Sequence, residues 1–180
     1  MIEIVPYDPQ WPHAFEGERE RIQAALGSLA LRIDHNGSTA VPGLAAKPII
    51  DIQVSVARLE PLESFAAPLA RIGYVHVPGQ DDTWCPFFHR PRDWPHTHHV
   101  HVVEAGGAEE RRTLAFRDHL RANPDAAREY EALKRGLAAA HGGGSAESRE
   151  AYAVAKTTFI ERIVAAALRE ELHGRRGHVV

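Results

Sequence analysis

The chain has one cysteine, Cys85, in 180 residues. No internal disulfide can form, and an oxidising compartment is not indicated. It also lacks any apolar run near the roughly 18–20 residues that a bilayer-spanning helix requires. Its opening residues, Met1 to Pro6, show neither the basic nor the apolar region of a secretory signal, so a cytoplasmic location is expected. There is little excess charge of either sign: the formal net charge is -3, with 25% charged residues. Nothing global therefore draws the chain onto nucleic acid or onto an anionic membrane. Internal repeats are absent, and low complexity is confined to Gly142-Gly143-Gly144.

The apolar content, 44%, is ample for a hydrophobic core. The length suits one domain over 1–180, divided into a mixed α/β core (1–105), a helical C-terminal part (106–172) and a tail (173–180) expected to be disordered. The abundant residue is histidine: twelve in all, with His96, His98, His99 and His101 close together.

Trp11, Phe15, Ile22, Leu26 and Leu29 recur at helical spacing after Pro9, with Glu16, Glu18, Arg19, Glu20 and Arg21 on the other face. A strand from Leu31 to about His35 follows, with Leu31, Ile33 and His35 alternating against Arg32, Asp34 and Asn36. The clearest strand is Ile49 to Val56, whose β-branched run suits a central, buried position. Parity places Ile50, Ile52, Val54 and Val56 on one face and Asp51, Gln53 and Ser55 on the other. A helix is expected over Leu59–Ile72, started late by Pro61, then short strands over Tyr74–Val77 and Trp84–Phe88, with Trp84, Cys85, Phe87 and Phe88 packed in the sheet. Thr97–Glu104 is a further strand. Three helices complete the chain: Ala108–Ala122, Asp125–Ala140 with Asn123 as its cap and Pro124 in its first turn, and Ser148–Leu172. The order makes an α+β fold, a mixed sheet flanked by helices.

The chemical clue is the run from His35 to Gln53. A Gly37-Ser38 turn after a strand lets backbone amides and a hydroxyl approach phosphate oxygens without obstruction by a Cβ. Thr39 adds a second hydroxyl and Lys47 a cation. The next strand then carries Asp51 and Gln53, two residues apart on one face. In phosphoryl transfer, carboxylates so placed hold magnesium ions that align the attacking and leaving oxygens. The structural alternative is a tight turn before a buried strand with a salt-bridged aspartate. A carboxylate inside an Ile/Val run is costly unless it is used, which favours the functional reading.

The segment Gly37-Ser38-Thr39-Ala40-Val41-Pro42-Gly43-Leu44-Ala45-Ala46-Lys47-Pro48-Ile49-Ile50-Asp51-Ile52 resembles the signature of the GrpB family, a group within the nucleotidyltransferase superfamily. The likeness extends from Tyr7-Asp8-Pro9-Gln10-Trp11 through His98–Glu104, Phe116–Arg121 and Tyr130–Lys134 to Tyr152–Lys156 and Phe159-Ile160. It implies a nucleotidyltransferase-like fold, with the superfamily's Gly-Ser at Gly37 and Ser38 and its first carboxylate at Asp51. The second carboxylate falls at position 53, where this chain has Gln53. An amide brings no negative charge, so a standard two-magnesium centre is in question.

In the strand Thr97–Glu104, parity sets His99 and His101 on the face opposite Val100 and Val102. If this strand lies in the same sheet as Asp51, the three side chains make a first shell for a divalent metal: Mg or Mn with the carboxylate, Zn or Ni through the imidazoles. The alternative is a polar edge strand. Arg117, Lys134 and Lys156 are candidate cations for a nucleotide's phosphates, and each lies in a segment that resembles the family; Lys156 shares a helix face with Tyr152. The expectation is nucleotidyl transfer from a nucleoside triphosphate to an unnamed acceptor. The second reading is an accessory or sensing protein that binds a phosphorylated or nucleotide-like ligand, a divalent metal, or both.

Overall fold

Alternation along the chain's central strand fixes which side of the protein is chemistry and which is core. The computed structural model describes residues 2–141 and 145–176, with the side chains of the last helix described as far as Glu170. Its elements are α1 (Trp11–Leu26), β1 (Arg32–Asn36), β2 (Ile50–Val56), α2 (Glu63–Arg71), β3 (Val75–Val77), β4 (Phe87–Arg90), β5 (His98–Glu104), α3 (Ala108–Ala122), α4 (Pro124–Ala140), α5 (Ala146–Val154) and α6 (Thr157–Arg176).

The strands form one mixed sheet of order β1-β2-β5-β4-β3, flanked by helices: an α+β fold. The β2–β5 pair is parallel and central; the β1–β2, β4–β5 and β3–β4 pairs are antiparallel. Ile50, Ile52, Val54, Val56, Val100 and Val102 turn to one face, where Trp11, Phe15, Ile22 and Leu26 of α1 and Phe65 and Leu69 of α2 cover them. Ile52, Val54, Val100 and Val102 are wholly removed from solvent, and each such side chain is worth roughly 1.5–3 kcal/mol of transfer free energy. The opposite face carries Asp51, Gln53, Ser55, His99 and His101 toward α3 and the C-terminal helices. There a second apolar cluster, with Val41, Leu44, Leu120, Tyr130, Phe159 and Ile163, ties the loop before β2 to α3, α4 and α6.

Several expectations from periodicity are corrected. Leu29 and Leu31 are exposed and lie outside α1 and β1. Glu18 leaves the polar face of α1 and is buried, because Tyr74 donates to it at 2.9 Å and Arg21 and Arg90 pair with it. The strand expected from Trp84 begins at Phe87, and Trp84 itself is exposed beside a 3₁₀ turn, Gln80–Thr83. Asn123 does not cap α4 with its side chain; its amide instead donates to His119 O at the end of α3. The long C-terminal helix is two, α5 and α6, separated at Ala155-Lys156, so that Tyr152 is buried from one and Phe159 and Ile163 from the other. α6 continues past Leu172 to Arg176, which takes part of the expected tail into a helix. Gly142-Gly143-Gly144 and residues 177–180 lie outside the described residues. Among those described, no helix is long and apolar enough to cross a membrane.

Candidate functional site

β1 ends at Asn36, and the chain reverses at Gly37, whose φ is 67°. That sign of φ suits glycine, and so does the space. A Cβ added at Gly37 would lie 2.2 Å from Asp51 Oδ2 and 2.9 Å from Asp51 Cβ. The turn is therefore packed directly against the carboxylate. Thr39 fixes it from behind: its buried hydroxyl donates to Ile49 O (3.3 Å) and lies 3.0 Å from His35 Nε2, which must then carry the ring proton and donate. Burial pushes the His35 pKa down to about 4, against an opposing pull from Asp51, so the ring is neutral at pH 7. Phe15 stacks on it at 4.7 Å. The Thr39 hydroxyl is thus engaged by the turn it supports.

The sheet register brings the two halves of the sequence motif together. Asp51 pairs with His99 and Gln53 with His101 across the parallel β2–β5 ladder. Asp51 Oδ1 is 3.3 Å from His99 Nδ1. One donor atom from each of Asp51, His99 and His101 falls within 4.8 Å of the other two. Burial alone would raise the Asp51 pKa, but the hydrogen bond from His99 and the neighbouring charges of His99, His101 and Lys47 outweigh it and hold the carboxyl below its ordinary value. Burial takes His101 down to about 4. An ionised carboxylate beside an imidazole kept neutral is a donor set that suits Zn, Mn, Fe or Ni. Cys85 Sγ approaches His101 Nδ1 at 3.8 Å; burial, with Glu109 and Asp81, pushes this thiol up to about 12, so it stays protonated and is a poor nucleophile.

Gln53 adjoins this cluster, fully buried. Its Oε1 accepts from Asn36 Nδ2 (3.1 Å) and from the Thr113 hydroxyl, so the oxygen expected to help Asp51 is already engaged. Gln53 Nε2 and Asn36 Oδ1 have no partner among the described residues.

Between this wall and the helices lies a cavity of about 420 Å³. Lys47, Lys134 and Lys156 converge on it. Lys134 is 2% exposed, donates to Ala45 O and sits 4.9 Å from the Tyr130 ring centroid. Lys47 and Lys156 each lie 4.6 Å from the ring centroid of Tyr152. Among the described residues a carbonyl and two tyrosine rings hold these lysines, and no carboxylate pairs with them. Burial, reinforced by mutual repulsion, lowers Lys134 to about 7 and Lys156 to about 8, and burial lowers Lys47 as well.

Arg117 is not among the residues around the cavity. Its guanidinium, buried on α3, donates to His35 O (3.1 Å) and Asp34 Oδ1 (3.3 Å) and pairs with Asp118. It clamps β1 to α3. Arg117→Ala is expected to destabilise the fold by about 1–3 kcal/mol, since it removes the charge-assisted hydrogen bonds that tie α3 to His35 O and Asp34 while Asp34 keeps its pair with Arg32, and to leave anion binding in the cavity intact. Thermal unfolding and phosphate titration of the same variant test both halves.

Sequence reasoning passed over Asn36, Glu109, Arg112 and Thr113, all of which line the cavity; Tyr130 and Tyr152, both buried in the core, line it as well. Glu109, Arg112 and Thr113 share one face of α3, with Arg112 Nη1 3.1 Å from Glu109 Oε1. Their spacing is visible in the sequence, but the face that α3 turns to the sheet is not.

Comparison with known proteins agrees with this architecture. The family model described as GrpB protein matches residues 1–166. The chain belongs to the GrpB family. That family lies in the nucleotidyltransferase-like superfamily. The crystal structure of the conserved GrpB protein from Enterococcus faecalis superposes with a TM-score of 0.83 at 35% identity, covering 94% of this chain and 99% of that one. UPF0157 protein PA4798 of Pseudomonas aeruginosa is 41% identical over 96% of this chain and 70% of its own length. A protein named dephospho-CoA kinase from Mycolicibacterium paratuberculosis is 33% identical over 74% of this chain, which spans only 39% of that longer relative.

Proposed function

We propose that this GrpB protein binds a phosphorylated, nucleotide-like ligand in the cavity together with one divalent ion. The observation that carries the reading is the pairing of two unlike walls: Asp51, His99 and His101 on the sheet, and facing them Lys47, Lys134 and Lys156, none of which is ion-paired to a carboxylate among the described residues. Buried ammonium groups without an ion-pair partner are expensive; the pull of Asp51 on Lys47 and Lys156 and of Glu131 on Lys134 offsets their burial only in part, and phosphate oxygens complete them. The missing Cβ of Gly37 makes room for the Asp51 carboxylate, and Ser38 beside it adds a hydroxyl to the cavity lining. Asp51, His99 and His101 hold the ion, which when bound supplies positive charge to a phosphoryl oxygen. Tyr130 and Tyr152 give the lysines an apolar surround that keeps water away and strengthens their pull on an anion.

A second reading, transfer of a nucleotidyl group from a nucleoside triphosphate, is favoured by the direct packing of Gly37 on Asp51. Gln53 weighs against its two-ion form, because it offers neither charge nor a free oxygen at the second position. Calorimetry with the four ribonucleoside triphosphates and with dephospho-coenzyme A, each with Mn, tests the binding. The last ligand joins the panel because relatives named dephospho-CoA kinase carry a similar region. Micromolar binding that disappears in Asp51→Asn is expected, and absence of binding to every ligand sinks the proposal. Pyrophosphate released on incubation with a triphosphate selects the transferase reading; binding without release selects the first.

A further inference from the structure

His99 has two ring nitrogens, and the fold gives each a different neighbour. Nδ1 faces Asp51 Oδ1 at 3.3 Å. Nε2 lies 3.1 Å from Nδ1 of His96, a residue in the loop before β5. His96 is held in place: its ring stacks on His89 with centroids 3.8 Å apart and planes 9° from parallel, and the Trp94 ring stands at 5.1 Å. His89 is itself fixed, Nδ1 donating to Pro91 O at 2.9 Å. An exposed histidine without such support would sample several rotamers. This one is clamped.

We infer that His96 is a positioning residue that aims His99 Nδ1 at the ion site by holding the opposite nitrogen of that ring. The inference rests on the metal reading of Asp51, His99 and His101 given above. For His99 to offer Nδ1 as a bare ligand, its proton must sit on Nε2, and a proton there needs an acceptor; His96 Nδ1 is at the right distance. Without an ion, His99 donates from Nδ1 to Asp51, and its Nε2 accepts a hydrogen bond from His96 Nδ1. A neutral imidazole serves both arrangements because either of its tautomers is available. The reading also explains why His96 is not itself a ligand: its near nitrogen is directed at His99. Partners of this kind change metal affinity by roughly 10–100-fold when removed.

The test is zinc affinity, read by competition with a chromophoric chelator, for the parent protein and for His96→Ala and His96→Asn. Asparagine carries Oδ1 and Nδ2 on the same atom that bears Nδ1 in histidine, so it restores an acceptor or donor near that point. His96→Ala is expected to bind zinc at least tenfold more weakly, with His96→Asn close to the parent. Nitrogen-15 spectra of the zinc-loaded parent should show His99 protonated at Nε2 and coordinated through Nδ1. If the parent binds zinc and His96→Ala binds it equally well, or if His99 coordinates through Nε2, the positioning role is overturned while the metal reading stands. If the parent itself takes no zinc, both fall. Unchanged circular dichroism and melting temperature in His96→Ala separate positioning from loss of fold, and His96→Asn without rescue counts against the proposal.

Discussion

Gly37→Ala is expected to lower stability by about 2–4 kcal/mol and to abolish ligand binding in one step. Part of the cost is conformational: a residue with a Cβ at φ 67° gives up roughly 1 kcal/mol relative to glycine. The rest is steric, since the new carbon falls 2.2 Å from Asp51 Oδ2, and overpacking of this kind costs about 1–3 kcal/mol. For a chain of this length each kcal/mol moves the melting temperature by roughly 2–4 °C, so a fall of about 4–16 °C is the expected reading. Relief comes only by moving Asp51 or the turn, and both belong to the proposed ligand site. Gly136 is the control. It lies within α4 with nothing inside 4 Å of an added Cβ, so Gly136→Ala should be neutral or stabilising by up to about 1 kcal/mol. Truncating Asp51 to alanine removes the nearest clashing atom, and Gly37→Ala should then cost less in that background than in the parent. If Gly37→Ala and Gly136→Ala melt alike, the packing of turn against carboxylate is wrong.

How much of this was legible in the sequence depends on how local each cause is. The faces of β2 follow from alternation within seven residues, so Asp51 and Gln53 were separable from Ile50 and Ile52 by inspection. The turn at Gly37 was likewise written in the residues that form it. Sequence did not fix the neighbour of β2. His99 and His101 join Asp51 only because β5 lies parallel to β2 in a register that pairs Asp51 with His99, and pairing is a long-range property. The same limit explains Glu18, placed on a polar helix face by periodicity and buried by Tyr74 and Arg90 from far along the chain. It also explains Arg117, whose partners lie on β1. The break between α5 and α6 at Ala155-Lys156 has no glycine or proline to announce it; tertiary packing of Tyr152 on one side and Phe159 on the other overrides helix propensity there.

Lys134→Met is expected to move stability and binding in opposite directions. A lysine in the unfolded chain titrates near about 10.4, whereas burial, with repulsion from Lys156, brings Lys134 to about 7 in the fold. Between these values the unfolded chain binds more protons than the native one, so native stability rises with pH. The penalty is absent above the unfolded value and complete below about pH 7. Lys134→Met removes one proton from that linkage, which flattens the pH dependence of stability by at most about 1.4 kcal/mol per pH unit between pH 7 and 10. A slope remains, because Lys47 and Lys156 are lowered as well. At pH 7 the variant gives up the bond to Ala45 O, worth about 1 kcal/mol, but sheds the larger cost of a desolvated ammonium, so its melting temperature should rise by several degrees. Ligand affinity should fall at least tenfold. An anion beside Lys134 raises its pKa again, so binding at pH 8 should take up protons. Calorimetry in buffers of differing ionisation enthalpy reads that uptake directly, and it should shrink in Lys134→Met. A variant that melts lower at pH 7, with an unchanged pH slope and unchanged affinity, would show that Lys134 is a structural cation in the fold and that the phosphates are bound elsewhere.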